Sequence, residues 1–132
     1  MPVEVHSYEE LIRITNSKKL VLVAIYDPLT PTGRYVSSLM DTLSLTFEPG
    51  IVIVKVDSRA NPEIVERLAP SSREPRLVLF LDGKPIWEQI GFFTNIAADK
   101  YAIRRGILNA LKQHGLTPKR LGIRLRDRLD EL

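Results

Sequence analysis

Apolar residues run along the 132-residue chain in two rhythms, and the switch between them predicts the fold. Leu20–Tyr26, Ile51–Asp57 and Arg76–Leu81 are β-branched and almost continuously apolar, as in central strands covered on both faces. Between them apolar positions recur every three or four residues, the helical period. Leu11, Ile12 and Ile14 give a helix from Tyr8 to Asn16, opened by Ser7 with Glu10 at capping-box spacing. Tyr35, Val36, Leu39, Met40, Leu43 and Phe47 give a second helix, stopped by Glu48-Pro49-Gly50. Asn61-Pro62 opens a short third helix from Glu63 to Ala69. Thr94 or Asn95 caps a long fourth helix through Ile96, Ile103, Ile107 and Leu111, which ends at His114-Gly115.

Shorter signals complete the pattern. Val3–Val5 alternates like a brief strand. Asp82-Gly83 marks a hairpin. Its return strand, Pro85–Ile90, belongs at a sheet edge because proline has no N–H to give a neighbour. Thr117-Pro118 starts a last helix whose leucines, Leu121, Leu125, Leu129 and Leu132, share one face. The order is β-α-β-α-β-α-β-β-α-α. Alternation implies parallel pairing of the first strands, and the closing pair is antiparallel. The expected class is therefore α/β, with a mixed sheet flanked by helices.

Length and composition bound the function. A chain of 132 residues is expected to be one domain with a core that needs no staples. No apolar run is long enough to span a bilayer, and Met1–His6 does not open a secretory leader, so a cytoplasmic protein without membrane contact is expected. There is no cysteine, which removes disulfides, thiol redox chemistry and thiolate metal sites from this chain's side chains. His6 and His114 stand far apart, and no metal or cofactor is expected. Residues 1–99 hold 10 Lys/Arg and 13 Asp/Glu, whereas residues 100–132 hold 9 and 3. Basic character is thus confined to the last quarter, where it suits solvated helix faces or an acidic partner.

Several segments together resemble the thioredoxin superfamily. Val23–Arg34 looks like the segment ending in Trp-Cys-Gly-Pro-Cys-Lys, and Lys55-Val56-Asp57 with Asn61-Pro62 looks like the family's Lys-Val-Asp strand and helix cap. Glu74–Phe80 resembles the cis-proline strand, Leu81–Pro85 the hairpin after it, and Gly91 falls on the glycine that ends the last strand. The likeness spans about residues 3–114. It implies a thioredoxin-like fold over residues 1–115, with residues 116–132 as a basic amphipathic helical extension, and a cis peptide at Pro75.

The departures fall on the chemistry. The two catalytic cysteine positions are Thr30 and Gly33, the buried aspartate position is Ala24, and the exposed tryptophan position is Leu29. Lys55 keeps its place without that acid partner. Dithiol exchange needs a thiolate and a resolving thiol, and neither exists here. The resemblance therefore implies a protein without dithiol oxidoreductase activity.

Three functions remain open. The first is a protein or peptide interaction module, with self-association included. Its candidate surface is Leu29, Thr30, Pro31, Thr32, Gly33 and Arg34, with Glu74, Pro75 and Arg76 and with Gly91, Phe92 and Phe93. Neighbouring Phe92 and Phe93 cannot both face the core if they end a strand. A second contact surface is the last helix, through Leu121, Arg124, Leu125, Arg128, Leu129 and Leu132. The second function is an enzyme holding an anion or thiol cofactor at the helix N-terminus of Thr30–Arg34, where backbone donors and Arg34 favour negative charge. No nucleophile–base pair accompanies it. The third is a nucleic-acid-associated protein. The basic quarter supplies the electrostatic footprint, but no aromatic interleaving and no recognised motif, so it ranks behind a protein partner.

Overall fold

A computed structural model describes residues 1–70 and 75–117. The elements are β1 (Val3–Glu4), α1 (Tyr8–Ser17), β2 (Leu20–Tyr26), α2 (Pro31–Phe47), β3 (Val52–Asp57), α3 (Pro62–Leu68), β4 (Arg76–Leu81), β5 (Lys84–Ile90) and α4 (Ile96–Gln113). The predicted last helix, and with it the 116–132 extension, lies beyond residue 117 and so almost wholly outside the described residues.

The sheet order is β1-β3-β2-β4-β5. β1 and β2 both run parallel to β3, as alternation with helices predicts. β4 instead runs antiparallel to β2 and then pairs with β5 through the Asp82-Gly83 turn. Pro85 does sit on an edge strand, beside an irregularity at Leu79/Phe80 where the ladder shifts register.

Continuity of the apolar runs follows from burial on both faces. All seven residues of β2 are buried. Leu20, Leu22, Ala24 and Tyr26 point into a core closed by α2 and α4. Val21, Val23 and Ile25 point the other way, into a core closed by α1 and α3. Each buried Leu, Val or Ile contributes roughly 1.5–3 kcal/mol relative to exposure. On the second face the Arg67 guanidinium also lies over the Tyr8 ring, 4.5 Å from its centroid, and joins α3 to α1.

Helix starts obey their capping residues. The Ser7 hydroxyl accepts from the Glu10 amide at 3.1 Å, and the Asn95 side chain accepts from the Ala98 amide at 3.0 Å. Asn61 holds the cap position of α3, but its side chain donates to the Asp57 carbonyl instead. α2 begins at Pro31, one turn before the apolar stripe that predicts it. Proline at the first position costs no hydrogen bond, and Thr30 caps it. A cis peptide joins Glu48 to Pro49 where α2 ends. The Glu74–Pro75 bond lies outside the described residues.

Candidate functional site

The candidate surface forms where β2 ends, β4 begins, β5 ends, and α2 and α4 start. Its centre is the turn from Asp27 to Arg34. The Asp27 carboxylate accepts from the Leu29 amide at 2.9 Å and faces the Arg59 guanidinium at 3.5 Å. The Asp27 carbonyl takes both the Thr30 amide, at 3.1 Å, and the Thr30 hydroxyl, at 2.9 Å. That hydroxyl in turn accepts from the Gly33 amide at 2.9 Å. Thr30 is therefore committed as donor and as acceptor to folding the turn.

Few free donors are left for an anion. Pro31 has no N–H, the Gly33 amide goes to Thr30, and the Arg34 amide goes to the Thr30 carbonyl at 3.0 Å. Among the described residues only the Thr32 amide of this first turn lacks a partner. The Arg34 guanidinium folds back to the Leu29 carbonyl at 3.2 Å. Arg76 does not join it. Arg76 pairs with Ile25, so it points to the α1/α3 face, where it binds the Leu68 carbonyl at 2.9 Å and Glu88 at 3.3 Å.

Gly33 is fixed by space rather than by backbone angle. A Cβ there would lie 1.7 Å from the Asp27 carbonyl oxygen. The carbonyl that anchors Thr30 thus fills the room a side chain at position 33 would need.

The other half of the surface comes from the loop after β5. The Gly91 amide donates to the Pro75 carbonyl at 2.8 Å, which brings Pro75 to the end of β5. Phe92 is half-buried and meets the Tyr35 ring edge-on, with centroids 6.4 Å apart. Phe93 turns outward and is 70% exposed, and Leu29 across the turn is 66% exposed. Gln89, Ile90, Gly91, Phe92, Phe93 and Ala102 line an apolar hollow of about 380 Å³.

One polar residue missed in the sequence holds this arrangement. Asp99, fully buried in the first turn of α4, receives the Tyr35 hydroxyl at 2.5 Å and the Phe93 amide at 3.0 Å. Burial, then the hydrogen bond to Asp99 and the charge of Asp99, raise the Tyr35 hydroxyl pKa above its ordinary 10.0. An acid in the first turn of a helix normally reads as a dipole partner, so nothing local marks Asp99 as a tertiary anchor. Lys55 also has an acid after all. Its ammonium reaches Asp41 at 2.7 Å and Ser37 at 2.9 Å, both on α2. Glu74 and the stripe residues Leu121, Arg124, Leu125, Arg128, Leu129 and Leu132 lie outside the described residues.

This architecture matches known structures. The chain superposes on thioredoxin from Trypanosoma brucei brucei with a TM-score of 0.70, over 85% of this chain and 92% of that one, at 21% identity. Thioredoxin from Plasmodium falciparum gives 0.67, over 78% and 97%, at 22% identity. In sequence, the thioredoxin of Griffithsia pacifica is 26% identical over 107 residues, 81% of this chain and 86% of that protein. The fold is thioredoxin-like. No family model matches the chain. With no cysteine anywhere, this thioredoxin-like chain lacks the Cys-x-x-Cys pair, and its own side chains cannot perform thiol–disulfide exchange. Among the described residues no helix is long and apolar enough to cross a membrane.

Proposed function

We propose that this thioredoxin-like protein is a redox-inactive, non-enzymatic interaction module of the cytoplasm, which holds an extended protein or peptide segment across Leu29, Thr30 and Phe93. The observation that carries this reading is the pair of large apolar side chains left exposed at the rim, Leu29 and Phe93, on a turn and loop that are otherwise tied down. Exposed aromatic and aliphatic anchors on a fixed frame lose little conformational entropy on binding. The doubly committed Thr30 hydroxyl supports holding over catalysis, since among the described residues no His or Lys bonds to it as a base.

The reading is tested by selecting displayed peptides on the protein, then measuring their affinity for Leu29→Asp/Phe93→Asp. Loss of binding by about tenfold or more, with an unchanged circular dichroism spectrum, is expected. Peptides that bind both proteins equally overturn it.

A further inference from the structure

A second cleft, of about 350 Å³, opens on the other side of the β2–α2 turn, and its lining includes Glu4, His6, Tyr26, Lys55 and Asp57. Strand register explains why these residues meet. Glu4 pairs with Lys55 across β1 and β3, and Tyr26 pairs with Asp57 across β2 and β3. Tyr26 belongs to the α2/α4 core, so its partner Asp57, and Lys55 two residues before it, project from that same face. β1 is a two-residue edge strand, and its side of the face stays open.

The hydrogen-bond inventory gives the cleft a sign. Lys55 is neutralised by Asp41 and bonded to Ser37. The Asp57 Oδ1 accepts the Arg59 and Ala60 amides, at 2.9 and 3.3 Å, and its Oδ2 takes no bond among the described residues. The Glu4 carboxylate likewise has no partner among the described residues. Tyr26 is only 6% exposed, and its hydroxyl, which bonds to no group among the described residues, is not sealed in the core but meets the cleft. Two carboxylates without a cationic partner among the described residues and a free hydroxyl thus share a cleft with apolar walls from Val5, Pro28 and Ala60.

The geometry points to a binding site for a cation on a short apolar stem, a guanidinium or an ammonium group. The Glu4 and Asp57 carboxylates receive its N–H donors, the Tyr26 hydroxyl accepts one more, and the apolar walls cover the stem. Charge-assisted bonds of this kind are the strong ones. The site lies apart from Leu29 and Phe93 and does not depend on the peptide surface.

The test is titration of the full chain with agmatine, with Nα-acetyl-argininamide and with the neutral Nα-acetyl-norleucinamide, followed by amide NMR shifts. Both cations should shift Val5, His6 and Tyr26 and saturate below about 10 mM, while the neutral analogue should not. Glu4→Gln and Tyr26→Phe should each weaken the cations by about tenfold. Tighter agmatine identifies a free small cation as the source, and tighter acetyl-argininamide identifies a side chain of a polypeptide. Equal shifts from the neutral analogue, absent shifts from both cations, or full affinity in folded Glu4→Gln and Tyr26→Phe overturn the assignment.

Discussion

The Tyr35 hydroxyl donates to the Asp99 carboxylate at 2.5 Å, and this contact joins the second turn of α2 to the first turn of α4 across 64 residues of sequence. Through its other oxygen Asp99 also holds the Phe93 amide. The two phenylalanines of the loop are thereby sorted. Phe92 packs on Tyr35, and the backbone of Phe93 is pinned while its ring faces out. A surface apolar group is ordinary when it stands alone. Here its backbone is fixed by a buried carboxylate, which gives it a defined place next to the turn.

Tyr35→Phe should cost about 1–3 kcal/mol, because it leaves one Asp99 oxygen buried without its donor. The wild-type contact should also be alkali-sensitive. The folded state raises the Tyr35 pKa above its ordinary 10.0. Its contribution is therefore fully present below that value and is lost as pH climbs through the higher folded value. Urea unfolding of both proteins between about pH 8 and about pH 11 should show the wild-type advantage shrinking at the alkaline end. A difference that is constant with pH sinks the assignment of the shift to this pair.

Thr30→Ala should lower stability by about 1 kcal/mol, and Thr30→Ser by only a few tenths. The hydroxyl, rather than the methyl group, makes both turn contacts, to the Asp27 carbonyl and from the Gly33 amide. Thermal melts of the three proteins compare them directly. Equal losses in the Ala and Ser variants would show that the hydroxyl is not what holds the turn.

Much of this was legible in the chain because the signals are local. A continuous run such as Leu20–Tyr26 reports a strand with two buried faces, and Ser7, Thr30 and Asn95 report helix starts through bonds to residues three positions on. What the sequence withheld is long-range. Arg76–Leu81 carries no mark of its direction, so only the register shows it antiparallel to β2. Lys55 has no counterpart of the family's buried acid in the sequence, and the fold lays Asp41 of α2 beside it. Arg76 looks like a neighbour of Arg34 until strand alternation sends it to the opposite face. Tyr35 reads as one more apolar helix position, since its partner lies on another helix.

Gly106→Ala should disturb the chain's single tryptophan. A Cβ at position 106 would lie 2.3 Å from the Trp87 ring, so α4 passes β5 closely enough only because residue 106 has no side chain. The clash falls on the far end of a half-buried indole, which can swing toward solvent. The expected loss is about 1–3 kcal/mol, accompanied by a red shift of tryptophan emission in the native state. Unchanged emission would mean that the helix moves instead of the ring.

Placing cysteines at Thr30 and Gly33 should not create a thioredoxin-type centre. The obstacle is the Asp27 carbonyl, whose oxygen stands 1.7 Å from where a Cβ of residue 33 would be built, with its carbon at 2.6 Å. These are backbone atoms at the end of β2, so relief requires moving the turn itself. Gly33→Ala alone should cost about 3 kcal/mol, and Thr30→Cys/Gly33→Cys at least as much. The resemblance to thioredoxins implies wrong neighbours as well, with Ala24 where those proteins have a buried aspartate and Leu29 where they have an exposed tryptophan. In an insulin-reduction assay driven by dithiothreitol, the wild-type chain should match the protein-free blank, and the double variant should stay near it. Wild-type turnover above the blank would refute redox inactivity. A Gly33→Ala protein as stable as wild type would show that the turn has room for the thiol it lacks.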